Sequence, residues 1–170
     1  MPEAGPRTPA EAAPSLKLLR VLGPPGSGKT LLITTLVEEF RTLGHFVATS
    51  APRGDGDATS MVITTSSGAR ITASRLLPAE ELCRLVASID PRATLLLAES
   101  LEATSHPAIE VVPPGAQPST PPPDLLATIP PSEVAPGATA PLAALIASRL
   151  LTPAPSGASR SFLSRLLRGR

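Results

Sequence analysis

The chain contains no tryptophan and no tyrosine, and only three phenylalanines in 170 residues. Any core must therefore be aliphatic. A single cysteine, Cys83, excludes an intrachain disulfide framework and fits a reducing compartment. Glycine, at 12 residues, falls far short of the one-in-three repeat of a collagen helix. No run approaches the roughly 18 apolar residues that span a bilayer. Neither sign of charge dominates: 15 Lys and Arg face 14 Asp and Glu, a formal net charge of +1. A chain-wide basic field is thus missing, and nucleic acid is not an expected partner. Met1–Pro14 carries Glu3, Glu11, several prolines and the lone base Arg7, with no apolar segment. It reads as a flexible leader rather than a secretory signal. Together these features predict a cytoplasmic protein.

Apolar residues make up 42% of the chain, enough for a core. The 22 prolines are more than twice the usual share of about 5%, and they must fall outside helix and strand interiors. They partition the sequence. Residues 1–14 form the leader. Residues 15–151 form one domain, interrupted by a Pro-rich loop at 113–123. Residues 152–170 form a linker and a short basic amphipathic tail.

Within the domain, strand and helix patterns alternate. Leu16–Leu22 is a nearly continuous apolar run, as in a buried parallel strand. Over Lys29–Leu43, Leu32, Ile33, Leu36, Val37 and Phe40 share one helical face, with Gly44 placed to end the helix. His45–Ser50 reads as a second strand. Met61–Thr65 and Arg70–Ala73 flank the turn signal Ser66–Gly68, a hairpin pattern. Pro78 is placed to open a helix whose face is Leu82, Leu85, Val86 and Ile89. Glu80 and Glu81 suit its first turn, and Asp90-Pro91 ends it. Thr94–Ala98, Ile109–Val112 and Leu125–Ile129 read as further strands. Leu142, Leu145, Ile146 and Leu150 mark a last helix. Repeated strand–helix–strand units predict an α/β domain with a mainly parallel sheet, flanked by helices and carrying a β-hairpin insertion.

Gly23-Pro24-Pro25-Gly26-Ser27-Gly28-Lys29-Thr30 matches the pattern G-x-x-x-x-G-K-[ST] in full, between a strand and a helix. The glycines let successive backbone N–H groups turn inward towards phosphate oxygens, and the helix adds its positive end. Lys29 supplies a positive charge for the β- and γ-phosphates. Thr30 offers a hydroxyl to Mg²⁺, which prefers hard oxygen donors. The domain is therefore expected to be P-loop NTPase-like. Turnover also needs carboxylates near the terminal phosphate. Glu99 closes the Thr94–Ala98 strand at the carboxyl edge of the sheet, where open α/β sheets bind ligands; a surface turn is the alternative. The segment Pro52-Arg53-Gly54-Asp55-Gly56-Asp57 reads as a Gly-rich loop able to bring Arg53 to a phosphate and Asp57, ahead of Asp55, to the metal. The alternative is an ordinary solvated loop. His45 and His106 lack metal-ligand spacing. Cys83 reads as a packing residue.

The order of these motifs resembles the MobB family of molybdopterin-guanine dinucleotide biosynthesis adaptors. The resemblance rests on the phosphate loop, on Ala98-Glu99-Ser100 in place of the family's VEG, and on Pro107-Ala108-Ile109-Glu110-Val111 in place of its P-K-I-E-V. It covers about Leu16–Leu151 and implies a divergent member. It implies Mg²⁺-dependent binding of GTP, with ATP as the alternative, and weak or absent hydrolysis. It further implies a homodimer and a molybdenum cofactor guanylyltransferase or related enzyme as partner. Carried over, the metal roles fall on Asp57 (or Asp55) and Glu99, beside Thr30 of the loop, and the catalytic roles are expected on Lys29 and Glu99. The family's Lys-His pair after the second strand is replaced by Ala51-Pro52. No N-K-x-D motif follows Leu125–Ile129, so guanine selection is not encoded in the usual GTPase manner.

In the tail, Phe162, Leu163, Leu166 and Leu167 share a helical face opposite arginines, a pattern suited to an anionic membrane or a partner groove. Two other functional classes fit the same residues. One is an ATP-dependent small-molecule kinase. The other is a non-catalytic module whose nucleotide only sets a conformation.

Overall fold

The computed structural model describes residues 15–54, 60–101, 104–116, 119 and 125–151. Seven strands form one sheet: β1 (Lys17–Leu22), β2 (Val47–Arg53), β3 (Ser60–Thr64), β4 (Arg70–Ala73), β5 (Leu95–Glu99), β6 (Ala108–Val111) and β7 (Leu125–Ile129). Three helices accompany them: α1 (Lys29–Thr42), α2 (Ala79–Ile89) and α3 (Ala140–Ile146), the last running into a wider turn over Ala147–Leu151. The strand order is β4-β3-β2-β5-β1-β6-β7. Five neighbours, β2-β5-β1-β6-β7, are parallel, and the β3–β4 hairpin extends the sheet antiparallel to β2. This is the α/β architecture expected of a P-loop protein, with the hairpin as its insertion.

The alternation of side chains along each strand splits the core in two. Leu19, Val21, Val47, Leu95, Leu97, Ile109 and Val111 face α1 and α3 and pack on Leu32, Leu36, Phe40, Ala143 and Ile146. Leu18, Ala48, Leu96, Ala98, Met61 and Ile63 face the other way and pack on Leu82 and Val86 of α2. The central strands are apolar on both faces because both faces are covered. Phe40 is the one aromatic ring buried in either layer.

α1 ends as its sequence predicts. Gly44 adopts a left-handed φ of 83°, its N–H donates to the Arg41 carbonyl at 3.0 Å, and the His45 N–H donates to the Phe40 carbonyl at 2.9 Å. This paired arrangement satisfies the last orphan carbonyls of the helix.

Several details differ from expectation: β2 starts at Val47 rather than His45, β3 spans Ser60–Thr64, β5 spans Leu95–Glu99 and β6 spans Ala108–Val111. α2 begins at Ala79, with Pro78 standing just before the helix. Ile89 is largely exposed rather than part of the buried face. β2 continues through Ala51, Pro52 and Arg53, because β3 pairs with it as far as Arg53 opposite Ser60. Pro52 is tolerated there because the β5 ladder ends at Ser50 opposite Ala98, leaving that side of β2 an edge.

Asp90 is buried where α2 ends, and its carboxylate accepts the Ser66 N–H of the hairpin turn at 2.6 Å. It ties the hairpin to α2. Asp90→Ala is expected to cost about 1.5–3 kcal/mol in urea unfolding, the usual worth of a hydrogen bond to a charged group. Burial pushes the Cys83 thiol above its ordinary pKa. Less thiolate is therefore present at neutral pH, and iodoacetamide should alkylate Cys83 in the folded chain more slowly than a free cysteine.

Candidate functional site

β1 lies between β5 and β6, so the loop that leaves it emerges at the carboxyl edge with a strand end on each side. Gly23 is the first residue of that loop, at a φ of 142°. A Cβ there would lie 2.6 Å from the Val111 carbonyl oxygen and 2.7 Å from Ser27 Oγ. Only glycine fits, for both conformation and space. Gly28 stands at the N-terminus of α1 with a φ of 96° and no side-chain cap. Within the described residues, the N–H groups of Lys29, Thr30 and Leu31 find no acceptor; the helix's own pattern begins with Leu32 donating to the Gly28 carbonyl at 2.9 Å. Those free donors and the helix dipole make the loop a ready anion site.

Lys29 is only 7% exposed. Its Nζ donates to the carbonyls of Gly23 at 2.9 Å and Pro24 at 2.8 Å, so the loop backbone solvates the ammonium. Ser27 Oγ is buried with no hydrogen-bond partner among the described residues. A buried hydroxyl without a partner costs about 1–3 kcal/mol, and in this position it fits an external oxygen ligand.

Thr30 and Glu99 meet. The β1–β5 register sets Val21 beside Glu99, and Glu99 follows Leu95 and Leu97 on the face towards α1. Thr30 Oγ1 donates to Glu99 Oε2 at 3.1 Å. A hydroxyl and a carboxylate 69 positions apart thus share one corner, an oxygen pair of the kind Mg²⁺ takes alongside phosphate oxygens and water. No group of three or more His, Cys, Asp or Glu stands together among the described residues.

The other candidates are placed differently. Arg53 is the last residue of β2 rather than part of a loop, and it borders a cavity with Thr49 and Arg70 on the hairpin. Asp55 and Asp57 lie outside the described residues, as does the basic tail. His45 sits edge-on to Phe40, and His106 is held by Thr104, with its Nδ1 3.1 Å from Thr104 Oγ1. Two features escape sequence reasoning. Ser100, directly after Glu99, has a left-handed φ of 53°. Glu110, 2% exposed, accepts hydrogen bonds from the N–H and hydroxyl of Ser119, so it pins part of the Pro-rich loop.

No protein-family model matches the chain, and no curated protein matches it in sequence. Among solved structures it is similar to a MobB protein homologue from Bacillus stearothermophilus, at 17% identity and a TM-score of 0.48, over 80% of this chain and 99% of that one. It is also similar to MobB of Bacillus subtilis, at 17% identity and a TM-score of 0.46, over 78% and 97%. The likeness is one of fold. No helix among the described residues is long and apolar enough to cross a membrane.

Two substitutions test the geometry. Gly23→Ala forces its Cβ against the Val111 carbonyl and should lower stability by about 1–3 kcal/mol in thermal unfolding, the range for a strained backbone position. Ser100→Gly relieves a left-handed conformation that costs a non-glycine residue roughly 1–2 kcal/mol. It should leave the melting temperature unchanged or raise it.

Proposed function

We propose that the chain is a Mg²⁺-dependent GTP-binding accessory protein of MobB type, which assists attachment of GMP to molybdopterin and hydrolyses nucleotide weakly or not at all. The observation that carries the nucleotide part is the Thr30–Glu99 hydrogen bond at the mouth of the glycine loop. The pathway part is supported by the motif order in the sequence: the loop, Glu99 at the end of β5, and Ile109-Glu110-Val111 in β6.

Each residue has a definable task. The amides that open α1 receive phosphate oxygens. Lys29 exchanges its two loop carbonyls for β- and γ-phosphate oxygens, a short reorientation of a side chain already at the site. Thr30 gives its hydroxyl oxygen to the metal, and Glu99 serves the metal directly or through water. When bound, Mg²⁺ neutralises phosphate charge and orients the β- and γ-oxygens. Asp57 assists the same ion. Weak turnover follows from the small set of groups. Among the described residues Lys29 is the cation in the loop itself; of the two arginines that line the adjoining groove, Arg41 is paired with Glu38 and Arg70 stands on the hairpin, and an arginine finger is worth about 10³–10⁵ in rate where it exists.

Calorimetric titration with GTP and ATP, with and without Mg²⁺, is the direct test. GTP should bind more tightly than ATP, and only with Mg²⁺ at full strength. Lys29→Ala should weaken binding at least tenfold, about 1.4 kcal/mol. Glu99→Gln should keep nucleotide binding while removing most of its Mg²⁺ dependence. Affinity unchanged by Lys29→Ala would overturn the assignment, and a preference for ATP would move it to the kinase reading.

A further inference from the structure

On the side of the sheet opposite α1, a cavity of about 210 Å³ opens at the same carboxyl edge. Its walls are Met61, Leu77, Ala79 and Leu101, all buried and all members of the α2-side core. Its rim carries Glu99, Ser100 and Thr104. Glu99 also borders the groove that begins at Thr30 on the α1 side, so this one residue lines both cavities. Its Oε2 is taken by Thr30; Oε1 receives no hydrogen bond from the described residues.

We infer that this cavity is a second binding site, for a small molecule with a ring-sized apolar body and a hydroxyl or amino donor directed at Glu99. Size selects the class: the volume holds one ring, whereas a helix is about 10–12 Å across and does not enter. Composition selects the body, because the walls are aliphatic and ligand pockets are mostly apolar with a few convergent polar groups. Charge selects the end group. Among the described residues Glu99 is the only charged one in the lining, so an amine or a neutral donor is favoured and an anion is repelled. The backbone is set for this. Ser100 holds its left-handed turn with its N–H donating to the Val21 carbonyl at 3.1 Å, which locks the rim to β1. Strain of this kind concentrates at ligand sites. The site goes beyond the nucleotide reading; only its consequence, that the bound donor sits next to the phosphate end, rests on that reading.

The test uses the ¹⁵N-labelled full chain without nucleotide, titrated with benzylamine, benzyl alcohol and benzoate. Benzylamine and benzyl alcohol should give saturable amide shifts at Leu77, Ala79 and Leu101, with benzylamine the tighter, and benzoate should give none. Glu99→Gln should abolish the advantage of benzylamine over benzyl alcohol. Ala79→Leu, which grows into the cavity, should weaken both at least tenfold. Absence of saturable shifts at those amides, or benzoate binding as well as benzylamine, overturns the proposal. Probe binding that persists in a chain unable to bind GTP supports this site while defeating the nucleotide reading, so the two fail separately.

Discussion

β1 is hydrogen-bonded on both sides, to β5 and to β6, and the loop that leaves it inherits both neighbours. From β5 it takes Glu99, set beside Val21 by the register. From β6 it takes the Val111 carbonyl, which presses on Gly23 and admits no side chain there. Sliding β1 by one residue would turn Leu19 and Val21 out of the α1 layer and put Arg20 into it. The glycine loop would then lose its floor and its acid together. The two-sided apolar pattern of β1 thus does more than fill a core: it fixes where the loop points.

The buried polar groups follow from the same constraint. Lys29, Ser27 and Glu110 are all buried at the carboxyl edge, within a few residues of the ends of β1 and β6. Burying an ammonium or a carboxylate is costly unless oxygen or N–H partners replace water. Lys29 finds two loop carbonyls, and Glu110 finds the N–H and hydroxyl of Ser119. Arg20, on the α2-side face of β1, donates from Nε to the His106 carbonyl at 3.0 Å and so ties the β5–β6 connection to the strand. Lys29 is held by backbone oxygens rather than by an opposite charge. Such partners keep their positions when local charge changes, which suits an edge where phosphate is expected to arrive.

Much of this was legible in the sequence, for identifiable reasons. The loop could be read because it needs particular residues at fixed spacing. Glu99 could be read because the apolar run Leu95–Ala98 says where a buried strand stops. The hairpin could be read from its turn. What escaped depends on pairing between distant segments. β2 runs to Arg53 only because β3 returns alongside it, and a Pro-Arg-Gly sequence by itself reads as a loop. Ser100 carries none of the usual signal for a left-handed residue. Glu110 showed as a motif letter, whereas its hydrogen bonds to Ser119 required the chain to fold back. The cavity beside Glu99 draws its walls from β3, from the start of α2 and from the residues after β5, so no local window contains it.

The position of Glu99 is therefore the feature with most functional weight. It ends a strand in the middle of the sheet, and α1 and α2 cover opposite faces of that sheet. Its backbone belongs to the boundary between the two layers, and the residue borders a cavity on each. The left-handed turn at Ser100 makes the chain leave the sheet at that point, and the Ser100 N–H bonded to Val21 keeps it there. A backbone conformation that is unfavourable by itself thus holds Glu99 where the Thr30 corner and an apolar pocket meet. That placement requires the strain to be supported by the β1–β5 ladder beneath it.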